Sequence, residues 1–230
     1  GASRLAPPLE AVTRQQVELN ELFAGTSMLP LVVDGDSGGY TRQAACAARM
    51  GLGLPVHSGH VPAGSDEEAA IFAATELSIP AGAPTDATKW ILIDQTCQVI
   101  FIGEGNERVV DVFPTSTGEP GFQTHNIRAF AFRFDPASDN DGWHDSASFP
   151  VEVDNPVNGN MYKPLYFDRG QAIHGANNVP TSPQSKGCAR LRPANQDALI
   201  GWLGLGDVSG TVGRDRIAAT VTVRGSYDLG

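Results

Sequence analysis

Two residues able to do covalent chemistry fall in one short stretch, "IHGANNVPTSPQSKGCARL" (Ile173–Leu191): His174 and Cys188. A thiol is a weak nucleophile until it loses its proton, and an imidazole within about 3–4 Å can take that proton. Gly187 lets the backbone before the cysteine adopt conformations closed to other residues and leaves space for a substrate carbonyl. The N–H groups of Gly187 and Cys188 could then receive an oxyanion. Arg190 falls on the same strand face as Cys188, where it could hold a carboxylate or favour the thiolate. A lone His and Cys are more often two ordinary buried residues, so the pair alone decides nothing. Their order does exclude other thiol enzymes: papain-like proteases carry the cysteine first, and caspase-like ones place the histidine about 50 residues upstream.

The elements around the pair are strands. "KPLYFDRGQAIHG" reads as two strands joined at Asp168–Arg169–Gly170, with His174 delivered at the end of the second. "WILIDQTCQVIFIG" (Trp90–Gly103) is a hairpin, "ERVVDVFPTSTG" a third strand, and "IRAFAFRFD" (Ile127–Asp135) alternates with the period of a half-buried strand. "RIAATVTVRG" closes the chain with another, and "PANQDALIGWLG" (Pro193–Gly204) is a helix with proline in its first turn.

Ahead of these strands lies a helical part. "AVTRQQVELNELFA" (Ala11–Ala24) has amphipathic spacing. A second, alanine-rich helix is expected to start at Thr41 as N-cap and stop at Gly51. Ser65 and Glu68 form a capping box for a third. "SIPAGAPTDATK" (Ser78–Lys89) reads as a linker. The expected organisation is residues 1–80 as a small helical domain, 81–88 as linker, and 89–230 as an antiparallel β-sandwich or open barrel, a mainly β fold overall.

Composition agrees with a turn-rich β body: 26 glycines and 16 prolines among 230 residues, with 41% hydrophobic residues to form a core. A net charge of −10 argues against a nucleic-acid partner. No apolar run is long enough to span a membrane. Three cysteines without a CxxC pair argue against structural zinc, and no metal or cofactor is expected. No signal peptide is visible, and the start "GASRLAPPLE" reads as an N-terminus from which any export signal has already gone, a point the sequence leaves open.

The full stretch resembles the catalytic signature of the L,D-transpeptidase family: His174, Gly175, Ser185, Lys186, Gly187, Cys188 and Arg190 match its His-Gly, loop, Ser-(His or Lys)-Gly-Cys-x-(Arg or Asn) pattern. "TSTGEPGFQT" (Thr115–Thr124) is similar to the family's Ser-Thr-Gly segment, although "THNIRAF" stands where the family has Thr-Pro-x-Gly-x-Phe. The resemblance covers residues 89 to 228. It implies acyl transfer on peptidoglycan stem peptides in wall biosynthesis and cell-shape maintenance, and an exported protein of the cell wall, periplasm or exterior. Cys188 would be the nucleophile, His174 the base and then the acid, and the Gly175 carbonyl would orient the imidazole. Gly187, Ser185, Arg190 and Tyr162 would shape the oxyanion and substrate sites, with Met161 beside the substrate path. Lys186, His125 and His144 are expected at the surface.

The acceptor of the acyl group is open: an amine gives a 3→3 cross-link, while water gives an L,D-carboxypeptidase. A non-catalytic wall-binding protein is the third reading. "VVDGDSGGYTRQAACAARMGLGLP" (Val32–Pro55) also resembles a peptidoglycan-binding helical repeat through Asp34, Gly35, Gly39, Thr41, Ala44, Gly51 and Leu52. Cys46 and Cys97 either form a disulfide between the helical part and the first hairpin, leaving Cys188 free, or are two separate thiols.

Overall fold

The computed structural model describes residues 7–145 and 160–227. Three helices come first: α1 (Leu9–Leu22), α2 (Gly39–Gly51) and α3 (Asp66–Ala73). Helix α2 is buried around most of its circumference, and its run of alanines flanking Cys46 is small enough to allow that. It begins three residues earlier than the sequence suggests, with Gly38 rather than Thr41 as N-cap. Thr41 lies inside the helix, donating to the Asp36 carbonyl at 2.8 Å and accepting from Gln16 at 3.1 Å. The helix runs through Gly51, and the left-handed turn falls at Gly53 (φ 67°). Ser65 caps α3 by accepting from the Glu68 N–H at 3.1 Å. The Glu68 carboxylate completes no box; it turns to Gln15 (2.8 Å) and the Gly64 N–H (2.7 Å).

Two sheets follow. The first has the order β3-β2-β1-β11-β4, from β1 (Lys89–Asp94), β2 (Val99–Glu104), β3 (Arg108–Pro114), β4 (Ile127–Phe130) and β11 (Thr220–Arg224). The second has the order β10-β5-β7-β8-β9, from β5 (Arg133–Phe134), β7 (Asn160–Asp168), β8 (Gln171–Gly175), β9 (Ala189–Leu191) and β10 (Val212–Gly213), with β6 (Trp143–Asp145) paired to β7. The stretch Ile127–Asp135, which reads as one strand, breaks between β4 and β5 and carries the chain from one sheet to the other. Helix α4 (Pro193–Trp202) packs beside β7 and β8.

The expected sandwich is present, but each sheet contains one parallel pairing, β1 with β11 and β8 with β9. Hairpin reading finds sequential neighbours only; a parallel neighbour arrives through a crossover of a dozen or more residues. The 176–188 segment between β8 and β9 is such a crossover.

Alternation assigns the faces. In β1 and β2, Ile91, Ile93, Ile100 and Ile102 point into the core between the sheets. Trp90, Leu92, Val99 and Phe101 point the other way, into a second core shared with α1, α2 and α3. The continuous apolar runs of this hairpin thus reflect burial on both sides. Cys46 and Cys97 are joined by a disulfide (Cα–Cα 5.2 Å) that fastens α2 to the β1–β2 turn, and Cys188 is the free cysteine.

Candidate active site

Register places the chemistry. In β8 and β9, Ile173 pairs with Ala189 and Gly175 with Leu191; Ile173, Ala189 and Leu191 face the inter-sheet core. His174 pairs with Arg190 between them and so faces away from that core. One step back along the same register sets Cys188 beside Ala172, on the face of His174. A spacing of fourteen in sequence becomes adjacency because β9 returns parallel to β8.

His174 is buried, and the Gly175 carbonyl lies 2.9 Å from its Nδ1. With the Nδ1 proton donated there, Nε2 is left as the nitrogen free to accept a proton. Burial, the largest cause, lowers the imidazole to about 4, helped by the Arg190 charge and opposed by the Gly175 hydrogen bond. Burial likewise raises the Cys188 thiol, while the backbone amide of Ala172 and Arg190 pull it down. At neutral pH the resting pair is therefore neutral thiol with neutral imidazole. Among the described residues the thiol's hydrogen bond goes to the Gly170 carbonyl, at 3.8 Å, and not to the imidazole.

The loop before Cys188 is held from several sides. Gly187 has φ 113°, a left-handed value, and a Cβ there would meet the Gln171 amide at 2.6 Å. Its N–H donates to Ser185 Oγ at 3.1 Å, so it is already engaged within the loop. Ser185 Oγ in turn donates to the Cys188 carbonyl at 2.5 Å. The Ser-Thr-Gly segment forms the floor: Ser185 N–H donates to the Thr117 carbonyl (3.0 Å), Thr115 Oγ1 to the Arg190 carbonyl (2.8 Å), and Arg190 N–H to the Ser116 carbonyl (3.0 Å). Thr115, Ser116 and Thr117 are fully buried.

The other expected residues are placed as follows. Gly175 must lack a side chain, because a Cβ would sit 2.7 Å from that of Tyr162. Tyr162 packs on Trp143 at 5.2 Å between ring centres, and its hydroxyl reaches Asp197 at 3.1 Å. Met161 is buried with Tyr166 and Ala172 in a small cluster against which Cys188 packs. Lys186 is not a free surface charge: it pairs with Glu119 and lies 4.1 Å from the centre of the Phe122 ring. His144 is largely covered and lies 3.2 Å from Asp135, contrary to its expected place at the surface. His125 is half-exposed and pairs with Asp168 at 2.6 Å. Of the long polar stretch Asp135–Pro164, residues 146–159 lie outside the described residues.

Sequence reasoning missed two glutamines. Gln171 brackets the backbone of the neighbouring segment, accepting from His125 N–H (3.0 Å) and donating to the Gln123 carbonyl (3.2 Å). Gln98 is fully buried and holds Thr117 through both ends of its amide, each at 2.8 Å. Neither carries a sequence signal, since a single Gln in a polar turn has no pattern to betray it.

The fold and the site thus define a β-sandwich carrying a histidine and a free cysteine on the outer face of one sheet. Comparison with known families agrees: residues 88–223 match the YkuD family, the L,D-transpeptidase catalytic domain. The match spans more than half of the chain, which belongs to this family of cell-wall enzymes. Among solved structures, the chain is similar to an L,D-transpeptidase from Xylanimonas cellulosilytica at 25% identity, covering 97% of this chain and 95% of that one, with a TM-score of 0.47. It is also similar to one from Stackebrandtia nassauensis at 16% identity, with 95% and 91% covered and a TM-score of 0.49. A third, from Mycobacterium smegmatis, is 18% identical, with 60% and 59% covered and a TM-score of 0.44. A search of curated proteins finds no match.

Proposed function

We propose that the chain is a cysteine-dependent L,D-transpeptidase acting on peptidoglycan stem tetrapeptides. In this reading Cys188 attacks the carbonyl on the L-centre of the diamino acid, expelling the terminal D-alanine. The resulting thioester passes to an acceptor amine, which makes a 3→3 cross-link. The observation that carries the reading is His174, its Nδ1 held by the Gly175 carbonyl, on one outward sheet face with Cys188 and Arg190.

The proton follows a closed path. A turn of the Cys188 side chain away from the Gly170 carbonyl brings the thiol to Nε2, which takes its proton as sulfur attacks. The imidazolium then protonates the departing amine, and the neutral imidazole later takes a proton from the incoming one. Because the resting pair is neutral, the ion pair exists only while the acyl group is being transferred. With the Gly187 N–H engaged by Ser185, the N–H of Cys188 is the donor assigned to the oxyanion. Arg190 supports charge on sulfur.

The disulfide suits an oxidising, exported setting, as does a family that acts on peptidoglycan. In the same reading residues 1–80 form a wall-docking, peptidoglycan-binding-like unit, with 81–88 as its linker to 89–230. Support for the docking role comes from the repeat-like stretch Asp34–Leu52.

Incubation with a disaccharide-tetrapeptide, followed by mass analysis, tests the proposal. The expected products are a covalent adduct on Cys188, loss of D-alanine and cross-linked dimers, all absent from Cys188→Ala. Release of tripeptide alone would move the acceptor to water, and no adduct or product would sink the enzyme reading.

A further inference from the structure

A single row of residues crosses the second sheet from the thiol to a guanidinium. Arg133 on β5 pairs with Tyr166 on β7, Tyr166 pairs with Ala172 on β8, and Ala172 neighbours Cys188 at the start of β9. The row behind it, Phe134, Leu165, Ile173 and Ala189, faces the inter-sheet core. The front row therefore faces outward with the nucleophile. The Arg133 guanidinium folds back over the Tyr166 ring, 4.0 Å from its centre. Tyr166 itself belongs to the cluster against which Cys188 packs.

Spacing fixes what this cation can meet. Neighbouring strands lie about 4.8 Å apart, so the Tyr166 backbone position, over whose ring the guanidinium stacks, is about 10 Å from that of Cys188. An extended peptide rises about 3.4 Å per residue. A substrate group at the guanidinium is thus two or three residues, or one long side chain, from the carbonyl at sulfur. The terminal carboxylate of the departing residue is too close to reach it.

Carboxylates of the surrounding segments are engaged by other side chains. Asp135 lies 3.2 Å from His144, Asp168 pairs with His125 at 2.6 Å, Asp197 pairs with Lys163 at 2.6 Å, and Glu119 pairs with Lys186. Among the described residues Arg133 has no carboxylate partner, though guanidinium is built for bidentate contact with one. A chain of net charge −10 repels anionic ligands at long range, so a local cation is needed to seat one.

We infer that Arg133, stacked on Tyr166, anchors a carboxylate of the donor stem peptide about 10 Å from the attacked carbonyl, and so makes the enzyme sensitive to whether that carboxylate is free or amidated. The inference rests on the proposed acyl transfer. Two groups of a stem peptide carry this chemistry: the distal carboxylate of the diamino side chain, and the free carboxylate of a γ-linked glutamate preceding it.

The test compares donor tetrapeptides that are unmodified, amidated at the first position, or amidated at the second, on wild-type enzyme, Arg133→Gln and Arg133→Lys. Acyl-enzyme on Cys188 is read by mass and turnover by kcat and KM. Wild type is expected to lose about tenfold or more in kcat/KM, mostly through KM, with one of the two amidated donors, which identifies the source. Arg133→Gln is expected to treat free and amidated donors alike, and Arg133→Lys to restore part of the preference. Because the readout is a ratio within one sample, partial misfolding of a variant cancels. Equal use of all donors by the wild type, or a preference that survives in Arg133→Gln, overturns the inference while leaving the acyl-transfer reading intact. Absence of any acyl-enzyme with every donor overturns both.

Discussion

The two sheets of the sandwich treat their outer faces in opposite ways. The outer face of the β1–β2 hairpin is closed by apolar side chains, three helices and a disulfide. The outer face of the β7–β8–β9 sheet carries His174, Arg190, Tyr166, Arg133 and the free thiol. Both use the same alternation toward the shared core. Where the outer face is filled with hydrocarbon it contributes stability; where it holds buried titratable groups it costs stability, as functional sites commonly do.

That contrast can be broken at four points. The largest effect is expected from Cys188→Ala: loss of about 10³-fold or more in acyl transfer, with the thermal midpoint little changed, measured by product analysis and calorimetry. Replacing Cys46 and Cys97 together should do the reverse. The bridge closes a loop across a sequence separation of 51, so removing it should cost about 3–4 kcal/mol in denaturant unfolding, with Cys188 still acylated in the folded protein. A large loss of Cys188 reactivity in that folded variant would mean that the two faces are less separate than described.

The third point is acid. His174 falls from 6.5 in the unfolded chain to about 4 when folded, so between these values the unfolded state binds the extra proton. Stability is full above about pH 6.5 and falls as pH drops toward 4, by about 3 kcal/mol from this group. His174→Gln should flatten that slope in pH-dependent unfolding; an unchanged slope would assign it elsewhere. The burial-raised thiol adds a kinetic counterpart, because alkylation of Cys188 in the free enzyme should keep rising with pH beyond neutrality. A plateau below pH 7 would instead mean a preformed thiolate–imidazolium pair. The smallest effect is Ser65→Ala, which removes the cap of α3 and should cost about 1 kcal/mol with no change in turnover.

Much of this was readable in the chain. The β1–β2 hairpin, the β7–β8 turn, the Ser65 cap and the His174…Cys188 stretch all announce themselves through local pattern. The errors were of another kind. Thr41 reads as an N-cap from residue type, but its hydroxyl is satisfied inside the helix by Asp36 and Gln16. Lys186 reads as a surface charge, yet Glu119, far away in sequence, covers it. Gln98 and Arg133 carried no signal because their roles depend wholly on distant partners.

The sequence by itself determined which residues could react and which strands carry them, since alternation and turn chemistry are short-range properties. Only the tertiary structure decided that β9 returns parallel to β8. That pairing brings His174 and Cys188 to one face, buries the imidazole, and lines Arg133 up with the thiol across four strands. The reason is physical: register between strands is set by side chains meeting across the core, and desolvation by everything that surrounds a group.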